Sequence, residues 1–446
     1  MKGTKKMAAM GMTLALASTA IWGCGNGSES QSVGTVENTE KAVEKEQDKS
    51  NQSEEKVTIT FSLWDEIQSV VYQELIDNFE EKNPNIDVEM QLTPWDQYWT
   101  KFDAAAGANQ AADVFFMNVW VPKYAEAGVL EPLDSYMEKD GFDFSLYTPS
   151  IIENSMYNGI HYTVPKGTDS MAVIVNTALF EKYGVDVPDS DWTWDDMVEV
   201  CRNLKQNIED SGDSIYPMSL MLNSTNGSWQ PIVYQFGGTI FNEDGTSGYS
   251  NEKDIKAIQA IVDMIDEGLI PDYQTISDTS AEELFISGQA CMLYLPTFSS
   301  QKIEQAEMEN VKLIQLPTAE SKAFIAGNMH YGMNAASKHK DEAWEFLKYL
   351  ASEEANDIIG KSGIDLPAMI SSQSYYAASF KQFDGTAFVE GLPNAVAYVS
   401  APASVSDSVN SITSDGIMSI FTKQIGVQEG MEKMAEEIDS EIESAQ

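Results

Sequence analysis

The 446-residue chain is short of positive charge. Against 70 Asp and Glu it sets 27 Lys and Arg, for a net charge of −43, and its single arginine is Arg202. A nucleic-acid surface needs a Lys/Arg stripe to neutralise phosphates, and attachment to anionic lipid needs a basic patch. Neither is available. Arginine is also the preferred fork for carboxylate and phosphate, so an anionic small ligand is disfavoured. Three cysteines, Cys24, Cys201 and Cys291, cannot build a disulfide framework. His161, His330 and His339 are scattered, with no zinc spacing. There is no G-x-S-x-G elbow and no phosphate-binding loop. No resident metal or cofactor is expected. What the chain does have is apolar content, 43%, enough for a large core in two or three domains or one two-lobed unit.

The first 23 residues read as an address. Lys2, Lys5 and Lys6 precede an uncharged run from Met7 to Gly23. That run has the length of a secretory signal and is short for a stable membrane span. It ends Ile21-Trp22-Gly23-Cys24, which resembles a bacterial lipobox; the resemblance implies cleavage after Gly23 and a lipidated Cys24. Residues 25–56 contain no aromatic residue, Leu or Ile, and cannot bury enough to offset their ordering entropy. They are expected to tether a folded body to a lipid anchor, with no spanning segment.

From Val57 onward the periodicities alternate between strand and helix. Val57, Ile59, Phe61 and Leu63 repeat every second residue, as do Ile86, Val88, Met90 and Leu92. Between them, residues 70–81 space Val71, Leu75 and Phe79 helically, and Asn83-Pro84 stops the helix. Asp113–Asn118 is a short apolar run, expected as a buried parallel strand. Further strands are predicted at Met171–Val175, Cys291–Leu295 and Val311–Leu316. Helices are predicted after Thr193, after Asn251, over Asp341–Leu350 and from Val405 to the end. The alternation is that of an α/β protein.

Certain segments in this order resemble one family: VTITFSLWDE, AADVFFMNVW, YTVPKGTDSMAVIVNTALFEKYGVDVP, TWDDMVEV, QFGGTIFNEDG, ELFISGQACMLYL, DEAWEFLKYL and GIDLPA. The chain is similar, over about residues 57 to 440, to the extracellular solute-binding proteins of ABC sugar importers. The resemblance implies an α/β, two-lobed periplasmic-binding-protein-like fold, each lobe a β-sheet flanked by helices and joined to the other by a hinge. It places residues 57–167 with 320–370 in lobe 1, and 168–319 with 371–446 in lobe 2. It further implies a non-enzymatic, monomeric receptor on the outer face of the cytoplasmic membrane of a Gram-positive bacterium, one that binds a neutral mono- or oligosaccharide in a cleft between the lobes and passes it to permease subunits.

A neutral sugar offers hydroxyls and apolar C–H faces, so its site needs polar groups and aromatic plates. Ligands of open α/β sheets bind at the carboxyl ends of strands. Trp64 and Asp65 follow the first predicted strand; Asn118 and Trp120 follow the Asp113–Asn118 run. Trp229 stands in a Gly-containing loop. The resemblance adds Asp169, with Lys166 nearby, where the chain crosses between lobes. It also adds Phe298 after a strand, Asn328, His330 and Tyr331 in AGNMHY, and Asp365 in GIDLPA. Trp95 and Trp99, four apart, could equally line the site or the core. Two other functions remain open at this point: a surface carbohydrate-active enzyme using two of the many carboxylates, and a sugar sensor serving a signalling receptor.

Overall fold

The computed structural model describes residues 56–445, apart from 243, 244 and 400. Cys24, the signal-like segment and almost all of the tether lie outside the described residues. Two sheets organise the rest. In the first, Val57–Leu63 pairs in parallel with Ile86–Leu92, register Val57 to Ile86 through Leu63 to Leu92. Its alternation has a direct outcome: Ile59, Phe61 and Leu63 are fully buried. Val114–Met117 is buried at every position, on both faces of the sheet. It runs parallel to Val57–Leu63 on one side but antiparallel to Met329–Met333 on the other, so the expected parallel strand belongs to a mixed sheet. Thr163–Gly167 closes the row beside Met329–Met333.

The second sheet has the order Val311–Ile314, Met171–Asn176, Ala290–Pro296, Tyr216–Ser219. Its central strands, Met171–Asn176 and Ala290–Pro296, are antiparallel, with Met171 opposite Pro296. Each sheet has its own core. Helices Glu66–Lys82, Lys340–Leu350 and Glu353–Ser362 bury their apolar faces with the first sheet. Helices Trp194–Asp210, Glu252–Asp266, Ser406–Phe421 and Val427–Ser444 do so with the second.

Local signals set the helix ends. Glu66–Lys82 begins four residues before the first predicted helical position, because Asp65 Oδ1 accepts from the N–H groups of Ile67 and Gln68 at 2.8 and 3.0 Å. Thr193 and Asp196 form a full capping box on the next long helix. Trp192 and Trp194 flank that start and are buried.

The chain crosses between the sheets three times. It passes from Gly167 to Met171, from Ile314 to Met329, and after Ser362 through Asp365 and Leu366 towards Gln373. The strand directions then place one edge of each sheet at these crossings. On the first sheet that edge carries the carboxyl ends of the strands ending at Leu63, Leu92, Met117 and Gly167, and the start of Met329–Met333. On the second it carries the ends of Ala290–Pro296, Tyr216–Ser219 and Val311–Ile314.

One buried acid in the second lobe costs stability. Asp254 is fully buried, and only Oδ1 is partnered, by the Thr239 N–H at 3.1 Å; Oδ2 has no partner. The helix N-terminus above it favours the carboxylate, yet burial dominates and pushes its pKa from 3.8 up to about 7. The folded state therefore holds a proton that the unfolded state releases, and stability falls as pH rises from about 4 to about 7. Asp254→Asn is expected to flatten that slope and to stabilise the protein at pH 8 by about 1 kcal/mol or more. Chemical denaturation of both proteins at pH 5 and pH 8 measures it. An unchanged pH slope in the variant contradicts it.

Candidate functional site

The first-lobe edge is an aromatic shelf. Trp64 follows the Val57–Leu63 strand, Trp95 and Trp99 open the helix after Ile86–Leu92, and Trp120 lies just beyond Met117. Their rings are neighbours: Trp64 is 5.3 Å from Trp95 and 5.7 Å from Trp99, and Trp99 is 4.5 Å from Trp120, centroid to centroid. Trp64 also meets Tyr98 and Phe116 edge-on, anchoring the shelf in the core. Trp95 is 49% exposed; Trp64, Trp99 and Trp120 are half-buried. Trp99 Nε1 and, beside the Asp65 cap, Gln68 Oε1 are buried and have no partner in the protein. Asn118 orients the turn: its Oδ1 accepts from the Trp120 N–H at 3.0 Å.

Beside the shelf the three crossings are knotted together. Lys166, 1% exposed, pairs with Asp365 from the third crossing. Its ammonium also lies over the Phe116 ring at 4.7 Å. Gly167 is required here, since a Cβ would fall 2.5 Å from Asp365 Oδ2. Thr168 donates to Asn328 Oδ1 at 3.2 Å, and Asn328 Nδ2 donates to Asn154 Oδ1 and the Ser150 carbonyl at 2.6 and 2.8 Å. Thr168 N–H donates to the Leu366 carbonyl at 3.0 Å. Asp169 Oδ1 accepts from Thr297 Oγ1 at 3.2 Å, joining the first crossing to the end of Ala290–Pro296. Burial, then the nearby Asp365 carboxylate, push Asp169 up to about 7. Burial also raises Asp365, against the pull of Lys166.

The sequence-predicted residues divide by where they lie. Trp64, Asp65, Asn118, Trp120, Asp169, Asn328 and Asp365 gather at the shelf and the crossings. Phe298 stands 55% exposed at the second-sheet edge, next to Thr297. Trp229 follows the same edge, but its ring is 2% exposed and packs in the second core, 6.1 Å from Tyr249. Tyr331 points into the first core, its hydroxyl 2.5 Å from that of Tyr72. His330 is fully buried in the last strand row before the edge, opposite Met117 and Pro165, with both ring nitrogens unpartnered; burial holds its pKa down at about 3. Gly327 is a residue that the sequence reading missed. It lies against the Asp169 carboxylate, where a side chain would collide. A glycine in a polar loop carries no such signal without the fold.

Residues 65–357 match the model of the bacterial extracellular solute-binding proteins. The chain belongs to that family. A putative binding protein of Brucella abortus is 27% identical over 297 residues, covering 64% of this chain and 69% of the relative. The maltotriose-binding protein of Pyrococcus abyssi is 22% identical over 66% of this chain and 62% of its own length. Among solved structures, an ABC substrate-binding protein of Listeria monocytogenes in complex with cycloalternan aligns with TM-score 0.77 at 23% identity, covering 86% of this chain and 98% of that one. The GacH receptor of Streptomyces glaucescens, solved unliganded and with acarbose, aligns at 0.75 and 22% identity, over 87% and 99% of the two chains. This solute-binding protein thus has the two-lobed fold, with three chain crossings between its two sheets.

The burial contrast sets an expectation for stability. Trp229→Ala should cost about 3–5 kcal/mol, as for other buried large-to-small changes. Trp95→Ala, half exposed, should cost less than about 1 kcal/mol. Urea unfolding of the two variants checks this; equal losses would mean that the two rings are equally structural.

Proposed function

We propose that this protein is a lipid-anchored extracellular receptor that holds a neutral oligosaccharide between its lobes and delivers it to the permease of an ABC transporter. The aromatic shelf at the hinge edge is the observation that carries the reading. Sugar C–H faces stack on such plates, and the unpartnered Trp99 Nε1 and Gln68 Oε1 supply hydrogen-bonding capacity beside them. Phe298 offers an exposed ring from the other lobe. The charge arrangement favours a neutral ligand: Lys166, over Phe116, is paired with Asp365, and Lys123, over Trp120, is paired with Asp103 and Asp407. The shelf continues from Trp64 through Trp99 to Trp120, with Trp95 alongside, which favours more than one sugar ring. Among its relatives, the names of the Pyrococcus abyssi and Listeria monocytogenes proteins point the same way. An enzymatic reading would need two free carboxylates, whereas Asp365 is committed to Lys166 and Asp169 to Thr297. Anchoring rests on the lipobox-like run before Cys24; Cys24→Ala should release the protein from cells, and a variant still found with the membrane would contradict it.

Calorimetric titration with a series from mono- to tetrasaccharides tests the ligand. Affinity should rise about tenfold or more from one ring to three, roughly 1.4 kcal/mol or more. Trp95→Ala should remove most of that gain and leave folding intact. Affinity should change less than about threefold between low and moderate salt, because a neutral ligand releases no counterions. Tight binding of an anionic solute, with steep salt dependence, would overturn the sugar assignment.

A further inference from the structure

Lys123 stands on the short helix Val121–Glu126, three residues after Trp120. Its ammonium lies 5.7 Å from the Trp120 ring centroid and 5.4 Å from that of Tyr124. Two carboxylates face it. Asp103, in the same lobe, is 3.8 Å away, and its other oxygen accepts from the Tyr124 hydroxyl at 2.8 Å. Asp407 is 3.4 Å away, in the first turn of Ser406–Phe421. That helix buries Val409, Ile417, Ile420 and Phe421 in the second-lobe core. Among the described ion pairs, Lys123–Asp407 is the one that joins the two lobes outside the three crossings.

We propose that Lys123 is the closure latch of the cleft, moving between Asp103 when the lobes part and Asp407 when they meet. The inference deepens the receptor reading and rests on it for the role of closure. Three features support it. The cation is never left unpaired, because Asp103 remains within reach in its own lobe. The pair is weak by construction: Lys123 keeps 22% and Asp407 76% of side-chain exposure. Exposed pairs of this kind shift an equilibrium by only about two- to fivefold, which suits a receptor that must release its cargo. Finally, the net charge of −43 sets acidic lobes against each other, so a lysine between them offsets local repulsion. Without it, Asp103 and Asp407 would face one another bare.

That last point fixes the order of effects. Single-molecule energy transfer between dyes at Val70→Cys and Lys312→Cys reads lobe separation in the ligand-free protein. Cys201 and Cys291 are buried, and Cys24 is replaced by Ser. Lys123→Met should lower the closed-to-open ratio the most, by about fivefold. Asp407→Asn should lower it less. Adding Asp407→Asn to Lys123→Met should restore part of the loss, because it removes the Asp103–Asp407 repulsion. Sugar dissociation, followed by stopped flow, should accelerate in the same order. The proposal is overturned if the single effects simply add, if Asp103→Asn opens the lobes as much as Lys123→Met, or if separation does not change. The ligand-free reading does not depend on the sugar: unchanged separation with intact sugar binding removes the latch alone. Shifted separation with no sugar bound by any variant removes the sugar assignment and leaves the latch.

Discussion

A buried ion pair between Lys166 and Asp365 holds two of the molecule's three chain crossings together, and the third is bonded beside them. Each residue comes from a different crossing, Lys166 where the chain first leaves the first sheet and Asp365 where it leaves that lobe again after Ser362. Removing one partner of such a pair typically costs about 3–5 kcal/mol, because the other charge is left buried and alone. The pair is therefore a constraint that the sequence around it must respect. Gly167 yields space to the Asp365 carboxylate, and the Phe116 ring lies under the ammonium. The Thr168–Leu366 backbone bond runs beside it.

The first and third crossings are tied by backbone and charge, while the second is tied through Asn328, which spends three hydrogen bonds on Thr168, Asn154 and the Ser150 carbonyl. Asp169 and Thr297 carry the connection into the second sheet. The aromatic shelf and Phe298 project from sheet edges on either side of this knot. Crossings tied to one another in this way are the kind of connection about which two rigid cores can rotate. Lys123 and Asp407 meet outside the three crossings.

Much of this was legible in the residues. The strand of Val57–Leu63 follows from strict alternation, and the buried run at Val114–Met117 from the absence of any polar residue in it. Trp64 and Trp120 were placed by one rule, that ligands meet strands at their carboxyl ends. The same rule misjudged the environment of Trp229: the residue does follow a strand end, but a turn from Ser224 folds its ring inward against Tyr249. Sequence carries the position of a loop, not the direction of a side chain within it. The mixed pairing of Val114–Met117 was hidden for a related reason, because its antiparallel neighbour lies over 200 residues downstream. Asp365, Asn328 and Gly327 meet only through the crossings, and no local pattern marks a long-range hydrogen-bond knot.

The central claim is that a carbohydrate is held at the hinge edge, between the shelf and the second lobe. Hydrogen–deuterium exchange with and without the tightest-binding sugar tests it most directly. Protection should appear at residues 64–68, 95–99, 118–123, 166–170, 297–299 and 326–330, segments drawn from both lobes and the crossings. The outer helices, such as Glu252–Asp266, should exchange unchanged. Protection confined to one lobe, or centred on the outer helices, would contradict a ligand enclosed between the lobes.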